Sequence, residues 1–371
     1  MEVVPDDLPC VTEALSRWVG KTDLLVLSGG LGPTHDDKTR YALAEFLDCG
    51  FALDDALYDQ VVARYRDSPR AALLERSRSI QALIPTAAQS LYNPAGSALG
   101  IFFEKNGTKV FSFPGVPFEY KAMVRQELSP LLEAELEHKR TWKSVSIIGI
   151  PESLVVERIP EIIKDARLHI SVLPSFGLVE LVIRGEMELV DAAARTTRER
   201  FADEALPEGC ATLPEAILKT GREKKLTLSC AESCTGGMVG ASLTEIAGSS
   251  DVFMGSAVTY SNEAKKKLLG VEQRVFDEYG AVSAPCAEAM ARGALELYGT
   301  SLSVAVTGIA GPDGGSKEKP VGTVWFAVGS QVEGQMEVRS FVQHLGAERD
   351  LVRERAVRAA LDAAWRRMIE M

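Results

Sequence analysis

The strongest constraint on this chain is a repeated grammar: a short apolar run breaks into glycines, and a helical pattern follows at once. Thr22 to Leu27 empties into Ser28-Gly29-Gly30-Leu31-Gly32-Pro33-Thr34, after which Tyr41, Leu43, Ala44 and Leu47 fall at helical spacing within Lys38 to Leu47. Lys109 to Phe113 does the same ahead of Pro114-Gly115-Val116-Pro117 and a helix expected over Phe118 to Leu128. Such strand–loop–helix units predict parallel sheets whose loops, at the C-terminal ends of the strands, form ligand sites.

Punctuation divides the 371 residues into three stretches, which is reasonable because one core rarely serves so long a chain. Residues 1–140 read as a layered α/β domain. Residues 141–209 carry a strand over Val145 to Ile150, a helix over Glu152 to Lys164, an alternating strand over Leu178 to Arg184 and a helix over Glu186 to Phe201. This is a small α+β, KH-like module, but without a Gly-x-x-Gly clamp or exposed aromatics it reads as a spacer or dimerisation element. Residues 210–371 open with a helix over Leu213 to Lys224 and continue with strands at Leu226 to Ala231, Ala257 to Tyr260, Leu302 to Val306 and Gly322 to Val328. A helix over Glu348 to Ile369 closes them. The expected fold class is therefore α/β: two layered α/β/α domains joined by a small α+β module.

Charge and composition narrow the function. A net charge of −11 argues against coating a nucleic acid, although it leaves room for a small anion held by loops. No apolar run reaches the roughly 18 residues of a membrane span, and the acidic, proline-bearing start does not look like a secretory signal, so a cytoplasmic location is expected. The six cysteines lack CxxC spacing and read as reduced thiols. The four histidines, His35, His138, His169 and His344, show no metal-binding or triad-like spacing, and His344 reads as a surface residue.

In the last stretch, chemistry is left to Ser, Thr, Tyr and Lys around glycine loops. Ala231-Glu232-Ser233-Cys234-Thr235-Gly236-Gly237 ends a strand and begins a helix, where N–H groups favour negative charge. Ser233 is a candidate for forming an oxyanion there, and either it or Thr235 is equally a candidate N-cap. Val258-Thr259-Tyr260-Ser261-Asn262-Glu263-Ala264-Lys265 runs off another strand. A partly desolvated Lys265 could accept a serine proton, with Tyr260 relaying or orienting it; alternatively Lys265-Lys266-Lys267 is a solvated helix face. Thr307-Gly308-Ile309-Ala310-Gly311 follows a third strand and could bring amides to a phosphate or an oxyanion.

Together these segments, with Ala247 to Ser250, Tyr279 to Ser283 and Lys319 to Val324, resemble the C-terminal domain of the CinA family, the nicotinamide-nucleotide amidase. The resemblance implies hydrolysis of nicotinamide mononucleotide to nicotinic acid mononucleotide and ammonia, without a cofactor. It implies Ser233 as nucleophile, Lys265 as general base and Tyr260 assisting, with Thr235, Gly236, Gly237, Thr307, Gly308 and Gly311 about the substrate.

The first stretch is similar to the CinA N-terminal domain, itself similar to molybdopterin-binding proteins and in some members an ADP-ribose pyrophosphatase. Ser28 to Thr39, Asn93 to Gly100 and Phe113 to Glu119 carry this similarity. It implies a nucleotide held by Gly29, Gly30, Gly32, Asn93 and Gly96, with Asp36 and Asp37 holding a divalent metal. Read from the residues alone, those aspartates equally cap the helix at Lys38. The family's opening strand and helix have no counterpart before Met1, so the sheet is expected to lack its first strand and expose an apolar edge, which weakens the pyrophosphatase reading. The partners expected are a small-molecule nucleotide and, by resemblance, a second copy in a homodimer, with no nucleic acid and no membrane. A non-catalytic nucleotide-binding or competence-associated role is the remaining alternative.

Overall fold

The structure, a computed structural model, describes every residue except 136–140, 176 and 333, and not the side chains of 134, 135 and 332. The expected boundary at residue 140, and His138, lie outside the described residues. The chain divides into two compact units, Met1–His138 and Lys139–Met371.

In the first unit the strands are β1 (Leu24–Ser28), β2 (Phe51–Leu53), β3 (Leu83–Pro85), β4 (Gln89–Leu91), β5 (Gly100–Lys105) and β6 (Thr108–Phe113). The main sheet has the order β1-β6-β5-β4, and β2 and β3 pair separately. The parallel sheet expected here is only half realised. β1 and β6 are parallel, but the two-residue turn Asn106-Gly107 sends β6 back along β5, and β4 is antiparallel to β5. A connection that short can join only antiparallel strands. Among the described residues β1 pairs on one side only, yet its apolar residues are half-buried because cores cover both faces. Leu25 and Leu27 pack with Leu43 and Val110, while Leu24 and Val26 pack with Phe111 and Phe113.

Within the second unit, β7 (Thr141–Ile148), β8 (His169–Ser175) and β9 (Leu178–Gly185) form an antiparallel sheet in the order β7-β9-β8. β8 has no counterpart in the sequence expectation. The sheet has its own core of Val145, Leu181, Ile183, Val155 and Phe201. The single helix expected over Glu152 to Lys164 is two, Glu152–Arg158 and Pro160–Ile163, because Pro160 has no N–H to continue the ladder. The helix expected from Phe118 to Leu128 likewise changes character, widening to a π-type turn over Val124–Leu128.

The second sheet of this unit comprises β10 (Leu228–Glu232), β11 (Phe253–Val258), β12 (Leu302–Gly308), β13 (Thr323–Val332) and β14 (Gln335–His344), in the order β11-β10-β12-β13-β14. β10 lies between two parallel neighbours, and all five of its residues are buried. Alternation along the strands sorts the side chains. Leu228, Cys230, Val304 and Val306 meet the helices Leu213–Lys224 and Arg349–Glu370. Ala231, Ala305 and Ala327 face the helix Ala284–Tyr298, whose own contact residues include Ala287, Ala291 and Ala294. Small residues on both sides bring that helix close to the sheet. At Gly293 a Cβ would lie 2.2 Å from the Leu269 carbonyl, so glycine is what lets the helix Asn262–Leu269 settle against it.

Candidate active site

Ser233 leaves β10 one residue beyond the last paired position, and its N–H still donates to the Val306 carbonyl at 3.0 Å. The turn that follows needs left-handed backbone at Gly236 (φ 63°) and Gly237 (φ 99°), which glycine adopts without a Cβ penalty. The helix Met238–Thr244 then starts with Gly237 as N-cap and no side-chain cap bond. Neither Ser233 nor Thr235 is therefore the N-cap that their position allowed. Ser261 does take that role for Asn262–Leu269, accepting from the Ala264 N–H at 3.1 Å.

That cap directs the next helical turn inward, and Lys265 is buried at 1% exposure beside Ser233 at 8%. Lys265 Nζ lies 3.0 Å from Ser233 Oγ, 2.8 Å from the Thr259 carbonyl and 3.4 Å from the Tyr260 carbonyl. Lys265 is thus no solvated face; its neighbour Lys266 takes that part, pairing with Glu263 at 3.2 Å. Burial pushes the Lys265 amine below its ordinary value, against a smaller opposing influence from Cys286 and Cys234. The three contacts also fix where the amine can point. With its proton Nζ can donate to all three oxygens, and without it two N–H groups keep the carbonyls and the lone pair falls toward the serine hydroxyl.

A cleft of about 260 Å³ opens over this pair, with Ser233, Cys234, Tyr260, Lys265, Thr307 and Arg349 in its wall. Cys234 is the competing nucleophile. Burial drives its thiol up to about 11, even though the N–H groups of Cys234 and Thr235 favour the thiolate, so it stays protonated at neutral pH. Those N–H groups mark where negative charge would be welcomed. The Tyr260 side chain is 64% exposed at the cleft, and the contact with Lys265 is made by its backbone carbonyl. Thr307 donates to the Ala281 carbonyl at 2.8 Å and so shapes the wall from beneath. Gly308 lines the cleft, while Gly311 (φ 84°) presents its carbonyl to Arg349. The Thr235 hydroxyl is buried without a hydrogen-bond partner among the described residues.

Two residues here were not singled out from sequence. Arg349 donates to the Gly311 carbonyl at 2.6 Å and brings a cation to the cleft from the first turn of the last helix. A cation at a helix N-terminus opposes the dipole, and that mismatch was the available signal. Glu232, the last residue of β10, is fully buried and accepts four hydrogen bonds.

In the first unit the expected loop residues are spent on one another. Asp37 accepts from the Thr34 N–H at 2.9 Å and from the Thr34 hydroxyl, while the exposed Asp36 lies 3.9 Å from His35. The helix Thr39–Leu47 has Lys38 as N-cap without a side-chain bond, so neither aspartate caps it. Among the described residues no group of three His, Cys, Asp or Glu could hold a metal ion, and Cys230 and Cys234 belong to none. Gly29 and Gly30 carry positive φ, and a Cβ at Gly32 would strike Asp37. Asn93 is buried and donates to the Ala98 carbonyl at 3.0 Å and to Glu119 at 2.7 Å. Its own carbonyl accepts from Ala95 at 3.0 Å and Gly96 at 2.8 Å. Here Asn93 and Gly96 act as the loop's scaffold. Among the described residues no helix is long and apolar enough to cross a membrane.

Fold and cleft together define a layered α/β protein with a serine–lysine pair on a glycine loop. Comparison with known sequences gives the same grouping. Residues 210–368 match the CinA C-terminal domain, and residues 1–134 match the family described as a probable molybdopterin binding domain. A relative from Moorella thermoacetica is 38% identical over 98% of this chain and 89% of its own length. A CinA-like protein of Citrifermentans bemidjiense is 36% identical over 97% of this chain and 86% of its own. A crystal structure of the competence/damage inducible protein CihA from Agrobacterium tumefaciens covers 41% of this chain and 90% of its own, at 43% identity and a TM-score of 0.39. The chain belongs to the CinA family.

Proposed function

We propose that the cleft hydrolyses the carboxamide of a nicotinamide nucleotide, converting nicotinamide mononucleotide to nicotinic acid mononucleotide and ammonia. The observation that carries this reading is the buried Lys265 amine, 3.0 Å from Ser233 Oγ and tied otherwise to two backbone carbonyls. Neutral Lys265 takes the hydroxyl proton as Ser233 Oγ bonds to the carboxamide carbon, and the N–H groups of Cys234 and Thr235 receive the developing oxyanion. Collapse breaks the C–N bond. Lys265 returns its proton to the departing nitrogen, and ammonia leaves an ester on Ser233. Water then attacks that ester with Lys265 again as base, releasing the carboxylate and restoring the hydroxyl. Arg349 supports a phosphorylated substrate, because it brings a guanidinium to the wall of an otherwise neutral cleft. Tyr260, exposed at the rim, is suited to stacking on the pyridine ring rather than to passing a proton.

The test is release of ammonia and nicotinic acid mononucleotide from nicotinamide mononucleotide by the full chain, without added metal. Turnover that survives in Ser233→Ala would sink the mechanism. No turnover by the wild-type chain would sink the substrate assignment.

A further inference from the structure

The side chain of Glu232 has no place in the steps above, yet it is fully buried and accepts four hydrogen bonds. Glu232 and Ser233 are consecutive at the end of a strand, so their side chains leave on opposite faces. Ser233 faces Lys265. Glu232 turns to the helix Met238–Thr244, where Oε2 accepts from the N–H groups of Gly237 at 2.9 Å and Val239 at 3.1 Å. Its Oε1 accepts from the Gly240 N–H at 2.9 Å and from Ser256 Oγ, on β11, at 2.8 Å. The first N–H groups of a helix have no partner within it, and this helix begins on a glycine that offers no cap. One carboxylate, five residues upstream, supplies the missing acceptors and closes the Ser233–Gly237 turn into a clasped loop. The same residue reaches Lys265 through its backbone. The Glu232 carbonyl accepts from the Thr259 N–H at 2.7 Å, and the Thr259 carbonyl holds Lys265 Nζ at 2.8 Å.

We propose that Glu232 is a positioning residue, whose buried carboxylate sets the Ser233 turn against the strand and helix that present Lys265. Three of its four partners are backbone N–H donors, with at least one at each oxygen, so a group that accepts at both oxygens fits best. In Glu232→Gln the amide NH2 faces the Gly237 and Val239 N–H groups if it takes the place of Oε2 and the Gly240 N–H if it takes the place of Oε1, where the Ser256 hydroxyl can turn to accept, so at least one hydrogen bond becomes a repulsive contact at almost unchanged volume. The turn then relaxes and Ser233 Oγ moves off the Lys265 lone pair.

This inference rests on the serine–lysine reading but not on the substrate, and its test keeps the two apart. A fluorophosphonate probe phosphonylates the activated Ser233 hydroxyl, the Oγ–P bond forming as P–F breaks, fluoride leaving and the proton passing to Lys265, so it reports the pair without any nucleotide. In the full chain, Glu232→Gln should lower the rate constant for Ser233 labelling about 100-fold, as displacement of a nucleophile by about 1 Å does. The kcat for nicotinamide mononucleotide should fall by a similar factor, with KM changed less than about threefold. Ser256→Ala removes one donor of four and should cost about three- to tenfold in the same rate constant. Labelling of Glu232→Gln within about threefold of wild type overturns the proposal. So does a loss confined to the amount of labelled protein, with the rate constant of the remainder unchanged, because that is the mark of a purely structural residue. Should Glu232→Gln fail to fold, Ser256→Ala decides, and an unchanged labelling rate in that variant overturns the proposal. Wild-type protein that labels at Ser233 but leaves nicotinamide mononucleotide intact refutes the substrate while the positioning role is still measured.

Discussion

Both units carry a loop with a Gly-Gly pair, a serine and a threonine at the end of a parallel strand, and the loops come to opposite ends. β10 is flanked on both sides by parallel neighbours and is buried throughout, so the turn after it opens into a cleft walled by other strand ends. β1 pairs with β6 alone among the described residues, and in the turn after it Leu31 is buried while Pro33, Thr34, His35 and Asp36 are exposed. Around β10, hydroxyl, amine and guanidinium converge from elements far apart in sequence. Around β1, Asp37 closes on Thr34, three residues away, and the Gly30 carbonyl accepts from the Thr39 N–H at 3.1 Å. A glycine loop gathers buried polar side chains when neighbouring strands wall it in. Glycine content alone does not decide this.

The sharpest way to break that contrast is to remove the pair that only the second unit assembles. Ser233→Ala and Lys265→Ala should each lower deamidation by about 10⁴-fold or more, and the double variant little further, because nucleophile and base act as a unit. Product assays on the three variants check this, and additive losses would mean that the residues act separately. The wild-type profile of kcat/KM against pH should rise through an ascending limb belonging to Lys265, at a pH below that of an ordinary lysine because the amine is buried. A limb that persists in Lys265→Ala would assign the base elsewhere.

The second way is to load the first unit's loop. At Gly30 φ is +69°, and a Cβ would lie 2.1 Å from Thr39 Oγ1 and 3.0 Å from the Thr39 N–H nitrogen, which is backbone and cannot swing aside. Gly30→Ala should therefore destabilise the first unit by about 1 to 3 kcal/mol, read as a lower denaturant midpoint. A variant as stable as wild type would show that the turn is free to reshape, and that its closure on Thr39 and Asp37 is not the fixed scaffold described above.

How far all this could be read from the chain follows from what each feature depends on. Strands with a glycine turn and a helix behind them, such as β1, β6 and β10, were legible because their signal is local. The direction of β5 and β4 was not. It depends on the Asn106-Gly107 turn, whose two residues make an antiparallel return obligatory but were not read as a hairpin. Likewise β14 is mostly exposed along its length and offers little apolar contrast to read. At the candidate site, Ser233 and Lys265 were candidates from their own segments, beside N-cap and solvated-face alternatives, and only resemblance joined them as a pair, since 32 residues separate them and no spacing rule joins a strand end to the first turns of a later helix. Glu232 was passed over because an acidic residue at a strand end usually faces water. Its burial follows from the helix start that happens to lie opposite, which is a tertiary fact. Arg349 reaches the cleft from 38 residues beyond Gly311 for the same kind of reason. Tyr260 had the opposite fate: its place beside Lys265 was read correctly, but the strand ends at Val258 and the backbone, not the phenol, makes the contact.

The smallest effect concerns what the reactive pair costs the fold. Because burial lowers the Lys265 pKa, the unfolded chain binds a proton that the folded chain releases, over the range between the folded value and the ordinary 10.5. Stability must then rise with pH across that range, and below it the folded chain bears the whole cost of a buried ammonium. Lys265→Met keeps an unbranched chain of similar length and carries no charge at any pH. It also leaves the Thr259 and Tyr260 carbonyls without their donor, a penalty that does not depend on pH. The sign of the stability difference at one pH is therefore uninformative, and its slope is the prediction. Relative to wild type, Lys265→Met should be at its most stable at pH values below the folded pKa of Lys265 and lose that advantage as pH approaches 10.5, by about 1.4 kcal/mol for each unit of depression. Denaturant midpoints of both proteins at several pH values measure this. Parallel curves would mean that Lys265 is held as an ordinary lysine, and the two units would then differ in the shape of their loops without differing in chemistry.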